Sequence, residues 1–205
     1  MTRILLTAFG PYDQWRENAS WLAVQELTRE TPESVDLTTR LYPVDFAEAR
    51  QRMASDLAAG FDASIHLGQA PGKGVIALEA IGLNVARDRG VAADEAPMLE
   101  PDGPPAYRSA LPLGEWARML RDAGAPAEVS FHAGEYLCNA ALYWSHHFTR
   151  DRPMQHGSVF VHVPLDTSQV VAAGRDLPSL PSAITALAVR MMIERLALAP
   201  VTEIA

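Results

Sequence analysis

Lysine is almost missing from this chain. Of its 17 basic residues only Lys73 is a lysine, so any chemistry that needs a reactive amine has a single candidate. Cysteine is just as scarce. Cys138 stands alone, which excludes an internal disulfide and leaves either a small buried apolar residue or a thiol kept for its reactivity. Positive charge is in deficit, with a formal net charge of −8 at pH 7, which argues against nucleic acid or an anionic membrane surface as the main partner. No apolar run is long enough to span a bilayer. The stretch Met1–Leu6 lacks the long apolar segment and cleavage site of a signal peptide and reads as a first strand. One cysteine and no export segment predict a reducing cytoplasm. Several catalytic patterns are also missing. There is no G-x-S-x-G elbow and no H-E-x-x-H zinc pattern. Gly68 to Gly74 is one residue short of a phosphate loop, and no Ser or Thr follows Lys73. His146 and His147, with His132 or His156, are a poor metal set because adjacent helical residues point in different directions; solvated surface histidines are expected instead. Neither metal nor cofactor is expected.

What is present suits one globular unit. The chain has 205 residues, 48% apolar and 20% charged, enough for one sizeable core, and shows no repeat or linker; a single domain over 1–205 is expected. Short apolar strands are expected over 3–7, 64–67, 75–85, 127–132 and 158–163, with a half-exposed strand over 35–42. Helices are expected over 19–28, capped by Asn18 and burying Trp21, Val24 and Leu27, and over 46–59, opened by an Asp45–Glu48 capping box. Further helices are expected over 113–123, 137–148 and 182–198, and the polar stretch 87–111 as a loop with little regular structure. Strands alternating with helices, several of them apolar without strict alternation, indicate an α/β fold: a three-layer α/β/α sandwich around a largely parallel, twisted sheet.

Three residues invite a chemical reading. Cys138 falls at the start of a helix just after the Gly134 turn, where backbone N–H groups and the helix dipole stabilise a thiolate. His162 sits near the C-terminal end of an apolar strand, the edge at which sites gather in open α/β sheets. Cys138 follows a different strand, so the two can meet there, and a thiol hydrolase needs an imidazole to take and return a proton. Glu79 interrupts the apolar run Val75–Ile81 and is either on an exposed face or buried with a partner. As an orienting acid for His162 it would complete a triad.

These residues lie in segments that resemble the pyroglutamyl peptidase type I family, also called pyrrolidone-carboxylate peptidases. Thr7-Ala8-Phe9-Gly10-Pro11-Tyr12 resembles that family's T-G-F-x-P-F opening, and Asn18-Ala19-Ser20-Trp21 its N-P-S-W. His66-Leu67-Gly68-Gln69-Ala70 resembles H-x-G-x-A; Leu78-Glu79 with Asn84 resembles the glutamate segment. Ser130 to Asn139 resembles S-x-x-A-G-x-Y-x-C-N, and Val161-His162-Val163-Pro164 the histidine segment. The resemblance implies a Cys138–His162–Glu79 triad that removes N-terminal pyroglutamyl residues from peptides through a thioester. It implies an oxyanion site at the backbone of Cys138 and Arg89. It assigns Phe9 and Tyr12 to the acyl pocket; Tyr136 and Leu137, just before the nucleophile, could add a wall, and Gln69 a hydrogen bond. Partners would be pyroglutamylated peptides, with room for a homo-oligomer, dimer or tetramer.

The departures fall on the substrate side. Ala8 replaces the opening glycine, Tyr12 a phenylalanine, and Asp13-Gln14 a double glycine. Gly90-Val91-Ala92-Ala93-Asp94 replaces the I-P-D-N that follows the family's arginine. Two rivals therefore stand beside the leading reading: a thiol amidase of the same fold with a different acyl group, and a family member that binds peptides without turnover.

Overall fold

The computed structural model describes residues 1–88 and 90–198. Six strands form the main sheet: β1 (Thr2–Phe9), β2 (Val35–Tyr42), β3 (Ala63–Gln69), β4 (Ile76–Glu79), β7 (Ala127–Ser130) and β8 (Gly157–Val163). Their order across it is β2-β1-β3-β8-β4-β7. Strands β2, β1, β3 and β8 run parallel. Strand β4 pairs antiparallel with β8, and β7 runs parallel to β4, so the last two strands oppose the first four. The central strands are buried on both faces, which is why they read as continuous apolar runs; β2, at the edge, is largely exposed between its buried ends.

The period-2 alternation of the buried strands divides the core in two. Ile4, Leu6, Ile65, Leu67, Val159, Val161 and Leu78 point to one face, packed by α1 (Ala19–Leu27), α3 (Leu113–Asp122) and α6 (Ser182–Leu198). Leu5, Phe9 and Phe160 point to the other, packed by α2 (Phe46–Ala58) and α4 (Leu137–His147). These faces make the three expected layers. On α1, Val24 and Leu27 are buried as expected, whereas Trp21 is only half-buried against the core. Among the described residues no helix is long and apolar enough to cross a membrane.

Four local features differ from the sequence reading. The strand expected over 75–85 breaks after Glu79, and Ile81–Leu83 (β5) leaves the main sheet. It pairs antiparallel with Ala106–Arg108 (β6), inside the stretch expected to lack regular structure. That stretch is fastened down: Asn84 donates to the Glu100 carbonyl at 2.7 Å and accepts from its N–H at 2.9 Å, while Glu100 grips Arg50 with bonds of 2.7 and 2.9 Å. A three-residue strand has too few positions to show a period, and its partner lies more than twenty residues away. A short helix, α5 (Thr167–Ala173), follows β8 and has no counterpart in the sequence reading. The reciprocal capping box belongs there, between Asp166 and Gln169. At Asp45 the carboxylate accepts from the Glu48 N–H at 2.8 Å, but the Glu48 side chain pairs with Arg52. Finally, β5–β6 covers α4, so His146 and His147 are not solvated. His146 stacks on Tyr107, His147 on Tyr143, and His147 is 8% exposed. Among the described residues no cluster of side chains is arranged to hold a metal.

Candidate active site

His162 and Glu79 are brought together by strand register. In the β4–β8 ladder Ala77 faces His162 and Glu79 faces Phe160, so Glu79 is the diagonal neighbour of His162 on the same face. The Glu79 carboxylate is fully buried and accepts from His162 Nδ1 at 2.7 Å. Its second oxygen, Oε2, finds no hydrogen-bond donor among the described side chains and backbone. Of the two sequence readings of Glu79, burial with a partner is the one observed. Since Nδ1 carries the proton shared with Glu79, Nε2 is the nitrogen left for chemistry.

The third member arrives from above the sheet. On β3, Gly68 lies directly opposite His162 in the parallel ladder. A Cβ built on Gly68 would lie 3.1 Å from Cys138 Sγ and 2.5 Å from the Phe160 ring. The sulfur thus occupies the space above a residue with no side chain, beside the imidazole. Burial disfavours charge on His162, but Cys138 and then Glu79 outweigh it and push its pKa up to about 9. The route differs from the sequence reading. Because β7 opposes β8, its C-terminal end does not point to the edge where His162 lies. Residues 131–136 carry the chain back, turning at Gly134, whose φ of 80° is in the left-handed region. Cys138 then falls in the first turn of α4, as expected, and is partly exposed.

The residues assigned to the substrate occupy different depths. Phe9 is buried, edge-on to Tyr42 at 6.3 Å and 6.4 Å from Phe160, in the core rather than on an open surface. Leu137 belongs to the same core. Tyr12 and Tyr136 stack on each other with centroids 5.8 Å apart, and Phe46 meets Tyr136 edge-on at 5.1 Å. A groove beside this pair is lined by Tyr12, Tyr136, Arg87, Val91 and Glu135. Arg87 bonds Glu135 both through its guanidinium at 2.7 Å and through its backbone N–H at 2.8 Å. Gln69 is not a free loop residue: its Oε1 accepts from Ala19 N at 3.0 Å and from Gln169 Nε2 at 3.0 Å, tying β3 to α1 and α5. Arg89, the expected oxyanion partner, lies outside the described residues.

Two other buried polar groups lie in segments the sequence reading quoted without giving either a role. His66, fully buried, bonds Thr7 Oγ1 at 2.8 Å and Ser64 Oγ at 3.0 Å. Burial, with a contribution from His146, lowers its pKa to about 3. Asn139, also fully buried, bonds the backbone of Leu83 and Val85. Their residue types alone do not reveal these contacts, which depend on distant backbone and side chains. Gly68 was detectable, since a glycine in a buried strand marks a close approach.

The chain is similar to known proteins over nearly its whole length. The chain is 35% identical to a pyrrolidone-carboxylate peptidase of Clavibacter michiganensis over 193 residues, covering 91% of this chain and 90% of that one. It is 34% identical to one of Streptomyces coelicolor, covering 99% and 95% respectively. Among solved structures, the pyrrolidone carboxyl peptidase of Thermococcus litoralis superposes with a TM-score of 0.87 at 28% identity, covering 97% of this chain and 94% of that one. The sequence pattern of the pyroglutamyl peptidase family matches residues 2–198, and the chain therefore belongs to that family.

Proposed function

We propose that this protein is a cysteine exopeptidase that removes N-terminal pyroglutamyl residues from peptides, in a single catalytic domain. The observation that carries the reading is the buried His162–Glu79 pair at 2.7 Å with Cys138 Sγ seated over Gly68 beside it. In the first half-reaction the Cys138 sulfur, its proton held on His162 Nε2, adds to the pyroglutamyl carbonyl carbon. The oxyanion is met by N–H donors, with the backbone of Cys138 and of Arg89 assigned to that role. The C–N bond breaks as Nε2–H passes its proton to the departing amine, leaving a thioester. Water then loses a proton to Nε2 and adds to the thioester; the C–S bond breaks with its electron pair going to sulfur, which shares the Nε2 proton again, and pyroglutamate leaves. Glu79 keeps the proton on Nδ1 throughout, so Nε2 stays free for these transfers. Tyr12 and Tyr136, beside an open groove, are assigned to contact the acyl group; Phe9 and Leu137 are assigned to its apolar backing and Gln69 to its support through α1 and α5. A reducing cytoplasm, which keeps Cys138 a thiol, and a homo-oligomer complete this reading.

One observation favours a second reading. Tyr12, which replaces the phenylalanine of the family pattern, stacks on Tyr136 two residues before Cys138, a geometry that fits a thiol amidase with an altered acyl preference. A pyroglutamyl-coumarin amide, run against a panel of other N-acyl amides under reducing conditions, separates the two. Turnover of the pyroglutamyl amide is expected, falling at least about 1,000-fold in Cys138→Ser. A folded, reduced protein that hydrolyses only another member of the panel transfers the assignment to that acyl group.

A further inference from the structure

We propose that Asn139 is a positioning residue of the catalytic pair: its carboxamide locks the first turn of α4, and Cys138 with it, to the strand that continues from Glu79. This rests on the assignment of Cys138 as nucleophile. The side chain is fully buried and all its hydrogen bonds go to backbone. Oδ1 accepts from Leu83 N at 2.7 Å, and Nδ2 donates to Leu83 O at 2.9 Å and to Val85 O at 3.1 Å. It thus pairs with β5 as a neighbouring strand would, exchanging a donor and an acceptor with one residue.

Two further observations give this contact its leverage. The N-cap of α4 is Tyr136, whose side chain makes no capping bond, so the turn holding Cys138 lacks the usual local anchor. Strand β5 is also in backbone contact with the helix: a Cβ on Gly82 would lie 2.7 Å from Tyr143 N and 3.0 Å from Tyr143 Cα. Only Ala80 separates Glu79 from β5, and Asn139 adjoins Cys138. The carboxamide therefore joins the helix turn that carries the sulfur to the strand that follows the carboxylate, where a small displacement of the sulfur is costly. None of these three bonds goes to the sulfur or the imidazole, and the effect is through the backbone.

The requirement is for an amide specifically. The carboxylate introduced by Asn139→Asp would accept from Leu83 N but present oxygen to two carbonyl oxygens; Asn139→Ser would leave buried backbone groups without partners. Both variants are compared with wild type per folded molecule, using circular dichroism and the thermal midpoint to fix the folded fraction. The rate of Cys138 alkylation by iodoacetamide is read alongside kcat and KM for the pyroglutamyl-coumarin amide. The expected result is a fall of at least about 30-fold in kcat, with KM within about threefold of wild type and slower alkylation. A folded Asn139→Asp variant that alkylates and turns over within about twofold of wild type, whatever its thermal midpoint, overturns the proposal. If Asn139→Asp does not fold, the Asn139→Ser variant is scored by the same criteria. Failure of wild type to hydrolyse the pyroglutamyl amide would defeat the functional assignment alone, because alkylation still decides the role of Asn139.

Discussion

At His162 two opposing influences meet. Burial favours the neutral ring, and the adjacent Cys138 sulfur and Glu79 carboxylate favour the charged one; the latter prevail, and the ring titrates at about 9. The sign follows. A raised folded-state pKa means the stabilisation is complete below the unfolded value of about 6.5 and is lost as pH rises through about 9. Removing the sulfur withdraws the larger of the two favourable influences. In Cys138→Ala the His162 ring is therefore expected to titrate below its wild-type midpoint, as followed by NMR of the imidazole protons. An unchanged midpoint would mean that the sulfur and ring do not communicate. Activity should also decline as pH rises through about 9, since the ring must carry the proton destined for the leaving amine. The proposal of these roles came from residue type and order. The 2.7 Å contact was not legible there, because it depends on the register between β4 and β8.

At the scale of elements, one carboxylate starts two helices. Asp166 Oδ1 accepts from Ser168 N at 2.8 Å at the head of α5, and Oδ2 accepts from Ser182 N at 2.5 Å at the head of α6. Gln169 completes the box and reaches Glu17 O at 2.9 Å, so the segment just after His162 is fastened to the loop before α1. Asp166→Ala is expected to destabilise by about 2 kcal/mol, one cap at each helix. Asp45→Ala, which removes a single exposed cap from α2, should cost about 1 kcal/mol. Urea unfolding of both measures the difference, and equal losses would refute the double cap. Long helices announced themselves through period and caps, and their observed ends lie within about one residue of expectation. Short elements did not: α5 has seven residues and β6 three, and each exists because distant backbone and side chains meet it.

For the molecule as a whole, acid is the predicted weakness. His66 and His146 are held neutral by burial, with pKa values lowered to about 3 and about 4. As pH falls below about 6.5 the unfolded chain takes up protons that the folded one refuses, so stability drops by up to about 1.4 kcal/mol per pH unit for each group. Urea unfolding at pH 7 and pH 5 should show this loss, with a shallower dependence in His66→Gln. Equal stability at the two pH values in wild type would contradict it. What the sequence by itself determined is the α/β architecture and the placement of the long elements, and it singled out Cys138, Glu79 and His162 as the residues proposed for the chemistry. Local periodicity, caps and residue chemistry are properties of neighbours in the chain, and they survive without knowledge of the fold. Only the tertiary structure decided that β4 and β7 oppose the other strands, that Gly68 provides the space for the sulfur, that Asn139 ties the helix of Cys138 to β5, and that His146 and His147 lie covered. Each of these is a contact between segments far apart in sequence, set by sheet register and by the clearance one backbone leaves for another.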